Sequence, residues 1–162
     1  MTASRKIAFS TLALALGAFA APAGAQPVTR EPSANPASVI SAAVVVPPGY
    51  TTYYISGMHT GPQDPSAPEG SPARWGDTVQ QTNASLDRIE ATLTKLGLTF
   101  GDVVKVTVFM DPKLDFPVFN REFGKRFGSA GQPNRPARSA IRVHSLATLG
   151  ALVEIEMIAV KK

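Results

Sequence analysis

The chain has 162 residues, with 16 Lys or Arg against 12 Asp or Glu, two His and no Cys. A formal charge of +4 is too mild to call for a nucleic acid or an anionic membrane as partner. Without cysteine there can be no disulfide, thiol nucleophile or Cys-ligated metal, so stability must come from the apolar core and from assembly.

Residues 1–25 have the three parts of a secretory signal. Arg5 and Lys6 form the charged start, Ile7 to Ala21 the apolar stretch, and Ala23-Gly24-Ala25 the small-residue cleavage site. The apolar run of 15 residues is interrupted by Ser10, Thr11 and Gly17. A membrane-spanning helix needs ~20 apolar residues, so the segment is expected to be removed and to send the protein to the periplasm or the exterior, with no membrane partner afterwards. Cleavage after Ala25 would leave 137 residues, one domain's worth, with 14 basic against 12 acidic residues and a net charge of +2.

Gln26 to Ser38 is polar, carries Pro27, Pro32 and Pro36, and is expected to be a flexible leader, with the domain occupying 39–162. Val39 to Val46, then Pro47-Pro48-Gly49, then Tyr53 to Gly57 read as a hairpin. His59 to Thr78 is rich in proline and glycine and reads as a long loop pinned by Trp75. From Asp77 the apolar period becomes 3.6. Val79, Leu86, Ile89, Leu93 and Leu96 define one helical face, Asp77 with Gln80 resembles a capping box, and Gly97 supplies a stop. Asp102 to Met110 alternates as a strand. A second helix spans Asp115 to Phe127, with Phe116, Phe119, Phe123 and Phe127 as a core stripe and Arg121, Lys125 and Arg126 as a solvated face.

Two strands, Pro136 to Val143 and Leu152 to Ala159, are expected to pair with each other through a turn at Leu149-Gly150. The first carries Arg138, and the second carries Glu154 and Glu156 within an apolar run, where charge is costly unless it meets water or a partner. Together the elements predict an α+β domain, a mixed sheet with two helices on one face. The uncovered face calls for another copy of the chain.

The sequence contains no G-x-S-x-G, H-E-x-x-H or G-x-G-x-x-G pattern. Neither nucleotide nor flavin is therefore expected, and two histidines do not make an imidazole-rich metal site. His144 reads as a surface residue, while His59 stands at the entry to the long loop.

Leu86-Asp87-Arg88-Ile89-Glu90 to Gly97-Leu98, Asp102 to Phe109, Asp115-Phe116 with Asn120, Pro136-Ala137-Arg138-Ser139 and Val153 to Val160 together resemble the RidA (YjgF-like) family. The resemblance runs from Val39 to Val160 in order. It implies a chorismate-mutase-like fold that assembles as a homotrimer, sheets packed inward and clefts between subunits. It also implies cofactor-independent hydrolysis of reactive enamines and imines, of the 2-aminoacrylate or 2-imino acid type, to 2-oxo acids and ammonia. By the same resemblance Arg138 grips the substrate carboxylate, Glu154 handles the attacking water, Asn120 belongs to the binding site, and the Gly57 backbone lies against the ligand. A planar guanidinium suits that role because it can offer a carboxylate two parallel hydrogen bonds.

Two departures concern the cleft. Ala43 stands where many members have a tyrosine, and Ala140 where a cysteine is common. The loop at 59–78 is also longer than usual. An alternative reading is a non-catalytic trimeric protein that binds small carboxylates or acts as a chaperone. Ribonuclease or translation inhibition, claimed for some relatives, suits an exported, nearly neutral protein poorly.

Overall fold

The computed structural model describes residues 26–69 and 71–162; the segment read as a signal lies outside them. Six strands form one mixed sheet: β1 (Thr29–Pro32), β2 (Ser41–Val45), β3 (Thr51–Met58), β4 (Val103–Met110), β5 (Ala137–Arg142) and β6 (Val153–Lys161). Their order across the sheet is β1-β2-β5-β4-β6-β3. A short helix α1 (Pro72–Trp75) precedes the long α2 (Thr78–Lys95), and α3 (Phe116–Gly124) follows β4. Helices α2 and α3 pack together, and α2 lies on β6 and β3.

The helices start where the side chains dictate. Asp77 accepts from the Gln80 N–H at 2.9 Å while the Gln80 side chain accepts from the Asp77 N–H at 3.0 Å, closing the expected capping box. Gly97, at φ +70°, ends α2 in a conformation that suits a residue without Cβ. Leu86, Ile89 and Leu93 are fully buried, but Leu96 sits on the C-cap and is 46% exposed, because the helix has ended before its face turns inward. In α3 the cap is Asp115, whose carboxylate accepts from the Val118 N–H at 3.1 Å. Phe119, Phe123 and Phe127 are buried and stack in sequence, with centroids 5.8 and 4.6 Å apart. Phe127 lies beyond the helix end, so the stripe outlasts the element.

Strand pairing differs from expectation in two places. The strands carrying Arg138 and Glu154 are not a hairpin: β4 lies between them, parallel to β5 and antiparallel to β6. Nor do β2 and β3 pair; β2 joins β1 and touches β5, whereas β3 joins β6 at the far edge of the sheet. A turn-rich connection is compatible with a hairpin but does not require one, because the partner of a strand is chosen by burial across the whole sheet. Thr29–Pro32, within the stretch expected as a leader, forms β1, anchored by Arg30, which donates to the carbonyls of Gly101 and Val103 at 3.1 Å. The long loop likewise contains α1, and Trp75 is buried as expected.

Arg121, Lys125 and Arg126 are not merely solvated. Arg121 and Lys125 converge on Glu122, a carboxylate 2% exposed that also accepts from Asn83 of α2 at 3.0 Å. Arg126 reaches across to Asp87 and Glu90 of α2. The bond from Lys125, followed by that from Asn83, lowers the Glu122 pKa from an ordinary 4.5 to about 2. A carboxylate with a depressed folded pKa stabilises the protein above its unfolded pKa, and that contribution drains away as the pH falls from 4.5 towards 2. Thermal unfolding of Glu122→Gln should therefore show a lower midpoint than wild type at pH 7. The gap should narrow steadily below pH ~4.5, whereas a constant gap down to pH ~2 would deny the carboxylate this role.

Candidate active site

The sheet register assigns each charged residue to a face. One row across four strands reads Ile55, Met157, Val106, Arg138, and its first three members are buried in the core beneath the helices. Arg138 therefore projects to the helix side, since residues side by side in neighbouring strands share a face. The row containing Glu154 reads Glu154, Phe109, Ile141, and all three project to the opposite, open side. Glu156, with Thr107 and Ser139, faces the same open side.

On the helix side, the Arg138 guanidinium lies over the rings of Phe123, Phe119 and Phe116, at 4.6, 5.5 and 5.7 Å from their centroids. The phenylalanine stripe is thus both core and a platform for a cation. Arg138 Nη2 donates to Asn120 Oδ1 at 2.7 Å. Its Nη1 is buried and has no partner among the described residues. Burial lowers the Arg138 pKa to about 10, so the group remains cationic at neutral pH. An exposed Ala140 stands two residues further along β5 on the same side, which leaves room beside the guanidinium.

On the open side, Glu154 lies against Gly57, which sits in an irregularity of β3 between Ile55 and Met58. A Cβ built on Gly57 would come within 2.1 Å of Glu154 Oε1. The missing side chain is what gives the half-buried carboxylate its place.

The four residues expected at the site thus form two pairs. Arg138 is brought to Asn120 and Glu154 to Gly57, but the pairs lie on opposite faces of one sheet. The expectation that Glu154 stands near the arginine within one hairpin is corrected accordingly: β4 intervenes, and odd and even positions along the strands diverge. Strand pairing is what hid this, since face assignment needs the register as well as the period.

The other candidates take structural positions. His59 Nδ1–H donates to the Thr60 carbonyl, so Nε2 accepts from the Thr148 hydroxyl at 3.0 Å, and the ring ties the long loop to the segment before β6. His144 is exposed. Ala43 is exposed in β2, Tyr53 packs on the core, and Tyr54 stands 80% exposed on the open face beside Ile158. The buried Glu122 was missed by sequence reading; its signal was Lys125 at i+3, which only Asn83 from the facing helix turns into a buried cluster. Among the described residues no group of three or more His, Asp or Glu could hold a metal ion.

Comparison with known proteins agrees with this architecture. Residues 35–161 match the family model described as Endoribonuclease L-PSP. A RutC family protein of Haemophilus influenzae is 43% identical over 86 residues, covering 53% of this chain and 65% of that one. The chain therefore spans just under two thirds of that relative's length. TdcF of Escherichia coli, which carries the name of a reactive intermediate deaminase, is 33% identical over 122 residues, 70% of this chain and 91% of its own. Among solved structures, a Thermotoga maritima protein described as an endoribonuclease superposes with a TM-score of 0.56 at 32% identity, covering 85% of this chain and 98% of its own. Escherichia coli TdcF, solved with serine bound, gives 0.54 at 29% identity, covering 69% and 82%. With the mixed sheet, the paired helices and the matched residues 35–161 in hand, the chain belongs to the RidA/YjgF-type, or L-PSP, family.

Proposed function

We propose that the protein is a cofactor-independent deaminase that hydrolyses reactive 2-imino or enamine acids to 2-oxo acids and ammonia, in clefts completed by neighbouring copies of the chain. The observation that carries this reading is the Arg138 guanidinium: one nitrogen is held by Asn120, the platform beneath is aromatic, and Nη1 is buried without a protein acceptor. A buried, unsatisfied cationic donor is costly, and a carboxylate oxygen would relieve it. The name of TdcF points the same way.

In the reaction, the substrate carboxylate pairs with Arg138 and water adds to the imine carbon. Glu154 takes a proton from that water and delivers it to the imine nitrogen, giving the carbinolamine; a second proton then passes from the carbinolamine hydroxyl through Glu154 to the nitrogen as the C–N bond breaks, releasing ammonia and leaving the ketone. Because Arg138 and Glu154 lie on opposite faces, a single subunit does not supply both to one substrate. The open face carries exposed Tyr54 and Ile141, a surface suited to a second copy. A homotrimer would place the Glu154 half-site of one subunit opposite the Arg138 half-site of the next. The export reading of residues 1–25 would put this chemistry in the periplasm or outside the cell, on imines formed there.

Arg138→Ala should lower kcat/KM for enzymatically generated imino acids about 10- to 100-fold, the equivalent of a charge-assisted pair of ~1.5 to 3 kcal/mol. Ammonia and 2-oxo acid release is the measurement, and rates equal to those without protein for both variant and wild type would end the enzyme reading. Gly57→Ala forces the flexible Glu154 side chain to move rather than the backbone, so kcat should fall while the unfolding midpoint stays within a few degrees of wild type.

The shared cleft has its own test. Arg138→Ala and Glu154→Gln subunits, each reduced about 10-fold or more alone, should recover about a quarter of wild-type activity when refolded together in equal amounts, since about three quarters of randomly assembled trimers are mixed and every mixed trimer rebuilds one of its three clefts. Absence of recovery in mixtures shown by mass to be trimeric would mean that both residues act from one subunit.

A further inference from the structure

Away from both half-sites, a cleft of about 350 Å³ opens between the segment ahead of α2 and the run that leads into β6. Arg138, Asn120, Gly57 and Glu154 are absent from its lining. The volume falls in the range of about 300 to 1,000 Å³ usual for small-molecule sites.

The walls are fixed in place. Trp75, at the end of α1, is 6% exposed and packs on Gly150. Gly150 has φ +90°, and a Cβ there would lie 2.2 Å from the indole, so the Trp75 ring closes on this backbone only because the position is glycine. Gln81, fully buried on α2, donates to the carbonyls of Gly76 and Gly150 at 3.1 Å and accepts from the Leu152 N–H at 2.8 Å. This one amide clamps the N-terminal end of α2 to the strand entry. The cleft is therefore held open by bonded groups before any ligand arrives, which lowers the cost of binding.

Its chemistry combines an aromatic, apolar wall with negative charge. Trp75, Leu149 and Leu152 supply apolar surface. Asp77 and Asp111 line the cleft, and Oδ1 of each accepts a backbone N–H, from Gln80 at 2.9 Å and Lys113 at 2.8 Å, which orients the carboxylate and leaves its second oxygen available. Lys113 is the one cation of the lining and its side chain is exposed.

We propose that this cleft is a second binding site, for a small organic ammonium ion whose apolar body lies against Trp75, Leu149 and Leu152 and whose charge meets Asp77 and Asp111. The indole and the two leucines suit an apolar body, and two oriented carboxylates outweigh a single exposed lysine. The site is independent of the proposed reaction, and Gln81 connects it to the start of the strand that carries Glu154.

Trp75 is the protein's one tryptophan, so its emission reports the cleft directly. The test titrates full-length protein with 2-phenylethylammonium, 3-phenylpropionate and 2-phenylethanol, which share a body and differ in charge, with calorimetry alongside. The ammonium should give a saturable change in emission and bind about tenfold or more tightly than the other two, and Asp111→Asn, which keeps an acceptor for the Lys113 N–H, should erase about that tenfold preference. Arg138→Ala should leave the titration unchanged, which separates this site from the substrate cleft. Gly150→Ala should shift the emission and abolish the response by displacing the indole. No saturable response by either method, equal binding of the three probes, or indifference to Asp111→Asn would overturn the proposal.

Discussion

Alternation along β4 is the constraint on which the rest of the molecule depends. Val104, Val106, Val108 and Met110 are buried, and Lys105, Thr107 and Phe109 face the other way. Every residue registered with this strand inherits one of the two faces. Arg138 is registered with Val106 and Glu154 with Phe109, so an odd offset along one strand separates the proposed carboxylate clamp from the proposed water-handling group. The half-buried arginine is tolerated because Asn120 and three phenylalanine faces receive it.

The sequence made some of this legible and concealed the rest for physical reasons. Helices α2 and α3 are local structures, and their capping residues and apolar faces lie within a few turns of one another; Asp77, Gln80, Asp115 and Gly97 could be read directly. Strand existence was equally plain in Val104 to Met110. Strand partnership was not, because the pairing of β4 with both β5 and β6 closes loops of different length, and nothing in either strand's own residues names its neighbour. The site suffered the same loss. Arg138, Glu154, Asn120 and Gly57 were recognisable singly, through resemblance, while their division into two pairs required the register. Glu122 was hidden for a related reason: its burial depends on Asn83 on another helix.

Without cysteine, the long segment at 59–78 is secured by hydrogen bonds and packing alone. His59 holds Thr148, Gln81 holds Gly76, Gly150 and Leu152, and Trp75 rests on Gly150. These contacts tie an otherwise turn-rich stretch to the entry of β6. A cleft is left where the tie is incomplete, lined by groups whose polar capacity the fold does not use up.

The two ends of the sheet carry a different kind of information. At one edge β1 is four residues long and includes Arg30, Glu31 and Pro32; at the other β3 breaks register between Ile55 and Met58. A short, charged, proline-bearing edge and a bulged one both make poor templates for another strand. Sideways growth of the sheet into a ribbon or fibril is thereby discouraged at both ends. In the proposed assembly, copies of the chain would meet through the broad open face, a geometry that favours closed, finite assemblies over open-ended ones.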